Sequence, residues 1–404
     1  MTIPPAEPAP GRRLRVLVGA FGDPGHAFPA IALGKELRAR GHDVTIQTWR
    51  KWQAHIETEG MRFARAPEYQ VFPTLERPLR PYEAVVRAVR ETRPLIRDVD
   101  PHVVVSDILT LAPALSAELE DRPWATLVPH LYPDTDSVLP PFGLGSRVPA
   151  TGIGRRFWKA ASRATATGLE RGRTELNETR RRVGLPPLAH VHGGISRQLA
   201  LVATFPQLEY PREWPPRVHI TGPLIWEPPA EDVELPSGEG PLVVLAPSTS
   251  QDPKQRLLEV ALAALERLPV RVLAIRPKTA TAIRERERVR LVTWMPYSRT
   301  LPHADVVVCH GGHGTLAHAL ANGVPVVMVP AAGDMMETGT RVQWAGVGFS
   351  LPKPFLSPRT LRLLVQRVLE EPGPRQRAEE LAAWTGTSDA AARAAVLTER
   401  LGCA

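Results

Sequence analysis

The chain has 404 residues, too many for one ordinary domain, and 43% of them are hydrophobic, enough for two sizeable cores. The formal net charge of +8 raises the question of nucleic acid, but the basic residues are mostly arginines scattered through helix-like segments such as 171–182 and 284–290. No aromatic-interleaved basic stripe is present, so a solvated arginine-rich surface is expected and no nucleic-acid partner. Two cysteines, Cys309 and Cys403, exclude a disulfide framework. No apolar run reaches the ~18–20 residues of a membrane span, and the Pro/Ala-rich residues 1–13 read as a disordered leader without a signal-peptide core, so a cytoplasmic protein is expected.

In chain order, residues 14–18 (LRVLV) predict a strand, 19–26 (GAFGDPGH) a glycine-rich turn, 28–40 a helix ended by Gly41, and 44–48 a second strand. The glycine spacing is GxxGxxG, and no acidic residue closes the second strand to hold a ribose diol, which argues against a dinucleotide fingerprint. A helix over 81–97 leads to a strand over 103–107 that ends in Asp107. A further strand covers 124–128. Residues 129–149, rich in Pro, Gly, Tyr and Phe, read as a long loop of the kind that is often functional. A charged helix spans 155–183, and strands over 198–203 and 218–221 close the first half.

Residues 227–240 (EPPAEDVELPSGEG) read as an interdomain linker with little that can pack. Strand 242–246, helix 254–268 and strands 270–275 and 289–293 then restart the alternation. Residues 305–309 (DVVVC), 310–315 (HGGHGT), 316–321 and 324–329 (VPVVMV) form one βαβ unit. The glycines let backbone and ligand approach closely, and the following helix offers free N–H groups and the positive end of its dipole, a ready phosphate site. Helices over 361–369 and 377–401 end the chain. This pattern predicts two doubly wound α/β domains facing a cleft.

Residues 294–348 resemble the nucleotide-sugar signature of GT-B glycosyltransferases: Trp294-Met295-Pro296, the HGGHGT turn at 310–315, GVPVVMVP at 323–330, and Gly333-Asp334. GHAFP at 25–29 and LRARGHDV at 37–44 resemble that family's N-terminal entry, and the similarity is greatest to its bacterial natural-product (antibiotic) branch. The resemblance implies two Rossmann-like domains: residues 14–226 binding the acceptor, 241–376 binding the nucleotide sugar, and a C-terminal helix over 377–404 packing back on the first domain. It also implies an inverting, metal-independent hexosyltransferase, with His26 as general base and Asp107 as its partner. Histidine's pKa suits that task. Ser248, Trp294, His310, Gly312, Gly314, Thr315, Asp334 and Met335 would bind the donor.

Aromatic and Pro-rich segments place the acceptor near Trp49, Trp52, Phe72, Trp124, His130, Tyr132 and Phe142. His310, His313 and His318 lack a completing carboxylate or Cys, so no metal is expected, and no cofactor beyond the nucleotide sugar as co-substrate. Plant-type members carry Glu where this chain has His318, and the family's Asp-Gln pair reads Asp334-Met335 here. Both departures point to a dTDP-activated 6-deoxyhexose. The alternatives are a UDP-sugar donor on the same fold, a nucleotide-sugar epimerase and, further off, a nicotinamide oxidoreductase. A monomer or a homodimer fits equally.

Overall fold

The computed structural model describes residues 12–67, 83–133, 139–189, 194–248, 256–276, 285–331 and 333–404. Its first half has strands β1 (Arg15–Gly19), β2 (Asp43–Thr48), β3 (Arg62–Arg65), β4 (Val103–Asp107), β5 (Trp124–Val128), β6 (Leu199–Val202) and β7 (Val218–Ile220), with helices α1 (Pro24–Ala39), α2 (Gln53–Thr58), α3 (Glu83–Val99), α4 (Leu111–Leu119) and α5 (Gly152–Val183). The second half has β8 (Leu242–Ala246), β9 (Arg271–Ile275), β10 (Val289–Val292), β11 (Val306–Cys309), β12 (Val326–Met328) and β13 (Gly348–Ser350). Its helices are α6 (Arg256–Leu265), α7 (Tyr297–Thr300), α8 (His313–Ala321), α9 (Asp334–Ala345), α10 (Pro358–Glu370), α11 (Pro372–Thr387) and α12 (Ala390–Cys403).

Each half is one parallel sheet, ordered β3-β2-β1-β4-β5-β6-β7 and β10-β9-β8-β11-β12-β13. Uninterrupted apolar strands such as β4 (VVVSD) and β11 (VVVC) are buried along their whole length, as strands covered by helices on both faces must be. In both sheets the strand order reverses beside the first strand of the half, between β1 and β4 and between β8 and β11. Loops leaving the carboxyl ends at such a reversal diverge and open a crevice, the usual ligand position in open α/β sheets.

The structure corrects four expectations. Helix α1 starts at Pro24, so His26 lies in its first turn and not in the loop ahead of it. Proline suits a first helical position, whereas its pairing with Gly25 reads locally as a turn. Helix α8 likewise begins at His313, with Gly312 as its N-cap. The single helix expected over 377–401 is two. Helix α11 packs on α8, whereas α12 crosses to the first domain, burying Ala390, Ala394 and Ala395 in its core. There Glu399 pairs with Arg40 at 2.6 Å and His42 at 2.7 Å.

Finally, the 227–240 segment is not loose. Val233 and Leu235 pack on the second core, and Asp232 and Glu234 pair with Arg299 and Arg290. The second core also takes Leu131, Phe205 and Leu208 from the first domain, so the halves share apolar packing.

Candidate active site

Two glycine-containing turns face each other across the crevice. In the first domain β1 delivers its turn to α1, and β4 ends in Asp107, one strand over. Asp107 is 1% exposed. One carboxylate oxygen accepts the Phe21 N–H at 3.1 Å and the other accepts from His26 Nδ1 at 2.8 Å. A carboxylate can only accept here, so Nδ1 carries the proton and Nε2 is the basic nitrogen of the neutral ring. Asp107 does not cap α4; Thr110 holds the N-cap position.

Burial pulls the His26 pKa down. The charge and hydrogen bond of Asp107, with smaller contributions from Asp334 and Asp23, more than offset that, and the net value lies above the ordinary 6.5. The pair therefore lends stability that is complete below pH 6.5 and is lost as pH rises through the raised folded value.

His130, in the loop after β5, lies 6.2 Å from His26, ring centre to ring centre, and edge-on to it. Its Nδ1 donates to the Leu131 carbonyl at 2.7 Å, and its ring runs nearly parallel to Phe142 at 6.5 Å. Burial lowers its pKa, so it is neutral where His26 is readily charged. Two neighbouring imidazoles with pKa values pushed apart are the usual mark of divided acid–base roles. Asp334, at the start of α9 in the second domain, lies within electrostatic reach of both rings and raises the pKa of each.

In the second domain β11 runs into His310, whose Nδ1 lies 3.1 Å from the Ala246 carbonyl of β8. Gly311 has φ +95°, and a Cβ there would meet Met328 Cε at 2.9 Å and Met335 Cβ at 3.1 Å, so both conformation and crowding require glycine. Gly314 differs: its φ is ordinary and a Cβ would touch nothing within 4 Å. Nothing internal accounts for a glycine in the first turn of α8, where alanine is favoured by up to ~1 kcal/mol. Thr315 Oγ1 lies 3.3 Å from the Tyr297 hydroxyl, and Ser248 is buried at the end of β8. Trp294 is 41% exposed and stands edge-on to Phe28 of α1 at 6.3 Å.

The three histidines of this region go separate ways. His310 reaches Ala246, His318 packs on the Tyr297 ring at 5.3 Å, and His313 is buried near His130. Burial, with the field of His130 added, pushes His313 down to about 3. A depressed folded value contributes stability above pH 6.5 that is lost as pH falls from 6.5 toward about 3. Denaturant midpoints should therefore drop through that window in the native chain and drop less in His313→Asn; equal slopes would remove His313 as the source.

Of the expected acceptor residues, Trp49 lies beside the site, its ring 4.9 Å from Phe21. His130 stands beside His26, and Phe142, which packs on the second core, runs alongside His130. Trp124 is elsewhere: it opens β5, at the opposite end of the sheet, and packs with Leu17, Ile96 and Val104. Tyr132 turns into the first domain against Trp214. Trp52 is core, with its indole N–H on the Gly22 carbonyl at 2.8 Å. Phe72 lies outside the described residues. Glu227, which reads as linker, is a structural residue of the site: its carboxylate accepts the Tyr297 and Ser298 N–H groups at 2.8 and 3.0 Å, just after the Trp294 turn. No local pattern signals this, because the partners are 70 residues apart.

Residues 16–117 match the glycosyltransferase family 28 N-terminal domain, and residues 268–394 match the C-terminal domain of erythromycin biosynthesis protein CIII-like proteins. The chain is 30% identical to 4'-demethylrebeccamycin synthase of Lentzea aerocolonigenes, over 96% of this chain and 99% of the relative. The chain belongs to the GT-B glycosyltransferases of bacterial antibiotic biosynthesis.

This glycosyltransferase is also 27% identical to O-mycaminosyltylonolide 6-deoxyallosyltransferase of Streptomyces fradiae, over 96% of this chain and 97% of that one. Its fold matches that of the glycosyltransferase VinC, solved in complex with dTDP, with a TM-score of 0.69 and 20% identity over 96% of this chain and 99% of that one. It is thus a hexosyltransferase, with a nucleotide-sugar donor and a small-molecule acceptor. Among the described residues no helix is long and apolar enough to cross a membrane.

Proposed function

We propose that this glycosyltransferase is inverting and metal-independent, and that it moves a 6-deoxyhexose from dTDP onto a small, flat, apolar natural product, with His26 as general base and Asp107 as its orienting partner. The observation that carries this is the 2.8 Å His26–Asp107 pair at the reversal point of the first sheet, opposite Asp334. Nε2 of His26 takes the proton of the acceptor nucleophile. Asp107 fixes the tautomer and stabilises the imidazolium that forms. The nucleophile attacks the anomeric carbon as the diphosphate leaves from the opposite face, so a single displacement inverts the centre. Charge growing on the leaving group meets the free N–H groups and dipole of α8 together with His310.

Gly314 supports this assignment, because a diphosphate lying close to the backbone explains a glycine that nothing else requires. Gly314→Ala should raise the melting temperature slightly and weaken dTDP binding, as read by calorimetry. A stabilised variant with native affinity would place the diphosphate elsewhere.

The deoxysugar donor is supported by the buried, neutral His318 packed on Tyr297, which stands in the sequence where other members carry a ribose-binding Glu, and by Met335 in place of an amide. The 6-deoxyallosyltransferase relative and the neighbour solved with dTDP point the same way. The exposed Trp294 offers a flat face for the pyrimidine. Trp49, His130 and Phe142 offer aromatic walls for the acceptor. The test is transfer from a dTDP-6-deoxyhexose and from a UDP-hexose to a panel of planar aglycones, read by product mass. Faster turnover of the UDP-hexose would overturn the donor assignment and leave the transferase.

A further inference from the structure

Arg341 lies two turns beyond Asp334 on α9, on the same side of the helix, and is 1% exposed. Its Nε donates to Glu337 at 2.8 Å on its own helix. Its Nη1 crosses to the first domain, donating to the Leu208 carbonyl at 3.2 Å and to Glu209 at 3.1 Å, and its guanidinium carbon sits 3.4 Å from the centre of the Tyr210 ring. Three consecutive residues of one domain thus grip one side chain of the other. Glu209 also accepts the Tyr132 N–H at 2.7 Å, two residues beyond His130. Thr340 adds a second tie, donating to the Gly145 carbonyl at 2.7 Å in the loop that carries Phe142.

Burying this many charges is costly, and apolar residues of equal volume often hold two surfaces together as well or better. What a planar guanidinium with fixed donor directions adds is orientation. We propose that Arg341 is a positioning residue for glycosyl transfer: it fixes the rotation and axial register of α9 so that Asp334 stands opposite His26 and His130. This inference rests on the reading of His26 as base and of Asp334 as a donor-sugar residue. The groups facing His26 are Asp107 from β4, Asp23 ahead of α1, His130 from the loop after β5, and Asp334. Of these, Asp334 shares α9 with Arg341, and His130 lies two residues before Tyr132, whose N–H the Arg341-bound Glu209 accepts.

The test is Arg341→Met in the full chain, with dTDP affinity, kcat, KM and the pH–rate profile measured beside wild type. The expected result is kcat lower by roughly 10–100-fold, the scale of a 1 Å misplacement. Affinity for dTDP, held by α8, is unchanged, and the acid limb moves to lower pH because Asp334 no longer acts fully on His26. A folded variant with native kcat and acid limb overturns the proposal. So does one that loses dTDP affinity, kcat and melting temperature together, which is a purely structural role. Should Arg341→Met fail to fold, Arg341→Lys keeps the charge without the fork, and the same readouts on it decide. A wild type inactive with every sugar nucleotide would count against the proposed function instead.

Discussion

His26→Ala should lower kcat/KM for glycosyl transfer by roughly 10²–10⁴-fold, while dTDP affinity stays at the wild-type value. That loss corresponds to about 3–5 kcal/mol of barrier, the usual worth of a positioned base. The two readouts separate because His26 belongs to α1 of the first domain, whereas the proposed diphosphate site is the start of α8 in the second. The fold should tolerate the change, since the ring keeps 16% of its side-chain surface exposed and faces the crevice residues Phe21 and His130. Matched initial rates and calorimetric titrations are sufficient. Full turnover in the variant would remove His26 from the mechanism, and joint loss of turnover and dTDP binding would mean that the residue is structural.

Asp107→Asn should lower kcat on the order of 10²-fold and also move the pH dependence. In wild type the base must lose its proton before it can act, so the rate rises with pH through a value above 6.5, because the Asp107 charge and hydrogen bond outweigh the desolvation of the imidazole. Asparagine removes the charge. Burial then dominates and the acid limb falls toward or below 6.5. The Phe21 N–H can still be accepted by the amide oxygen, so the turn should survive. A variant with reduced rate and an unmoved acid limb would show that the titrating group is not His26.

Much of this was legible in the sequence because the signals are local. Uninterrupted valine-rich strands, glycine turns at their carboxyl ends and helices between them define two doubly wound domains. The resemblance carried by the same turns is what singles out His26, Asp107, His310 and Asp334 as expected site residues. Helix starts were misplaced where Pro24-Gly25 and the residues after Gly312 occupy first helical positions yet look like turn residues. The break between α11 and α12 was readable in principle, since Asp389 caps α12 by accepting the Ala392 N–H at 2.8 Å.

Trp124 and Tyr132 were misassigned for another reason. Composition marks an aromatic segment but does not say which end of a strand, or which side of a loop, meets the crevice. Glu209 and Arg341 were invisible, being 132 residues apart, and a single arginine in a helix reads as a solvated residue until its partners are brought to it.

A thermal-shift titration with dTDP, UDP and NAD at equal concentration tests the central claim most directly. A ligand at 100 times its dissociation constant stabilises by roughly 2.7 kcal/mol, a shift of several degrees. The account predicts a clear response to dTDP, a smaller one to UDP and none to NAD. A response to UDP that exceeds that to dTDP would contradict the deoxysugar reading built on His318 and Met335.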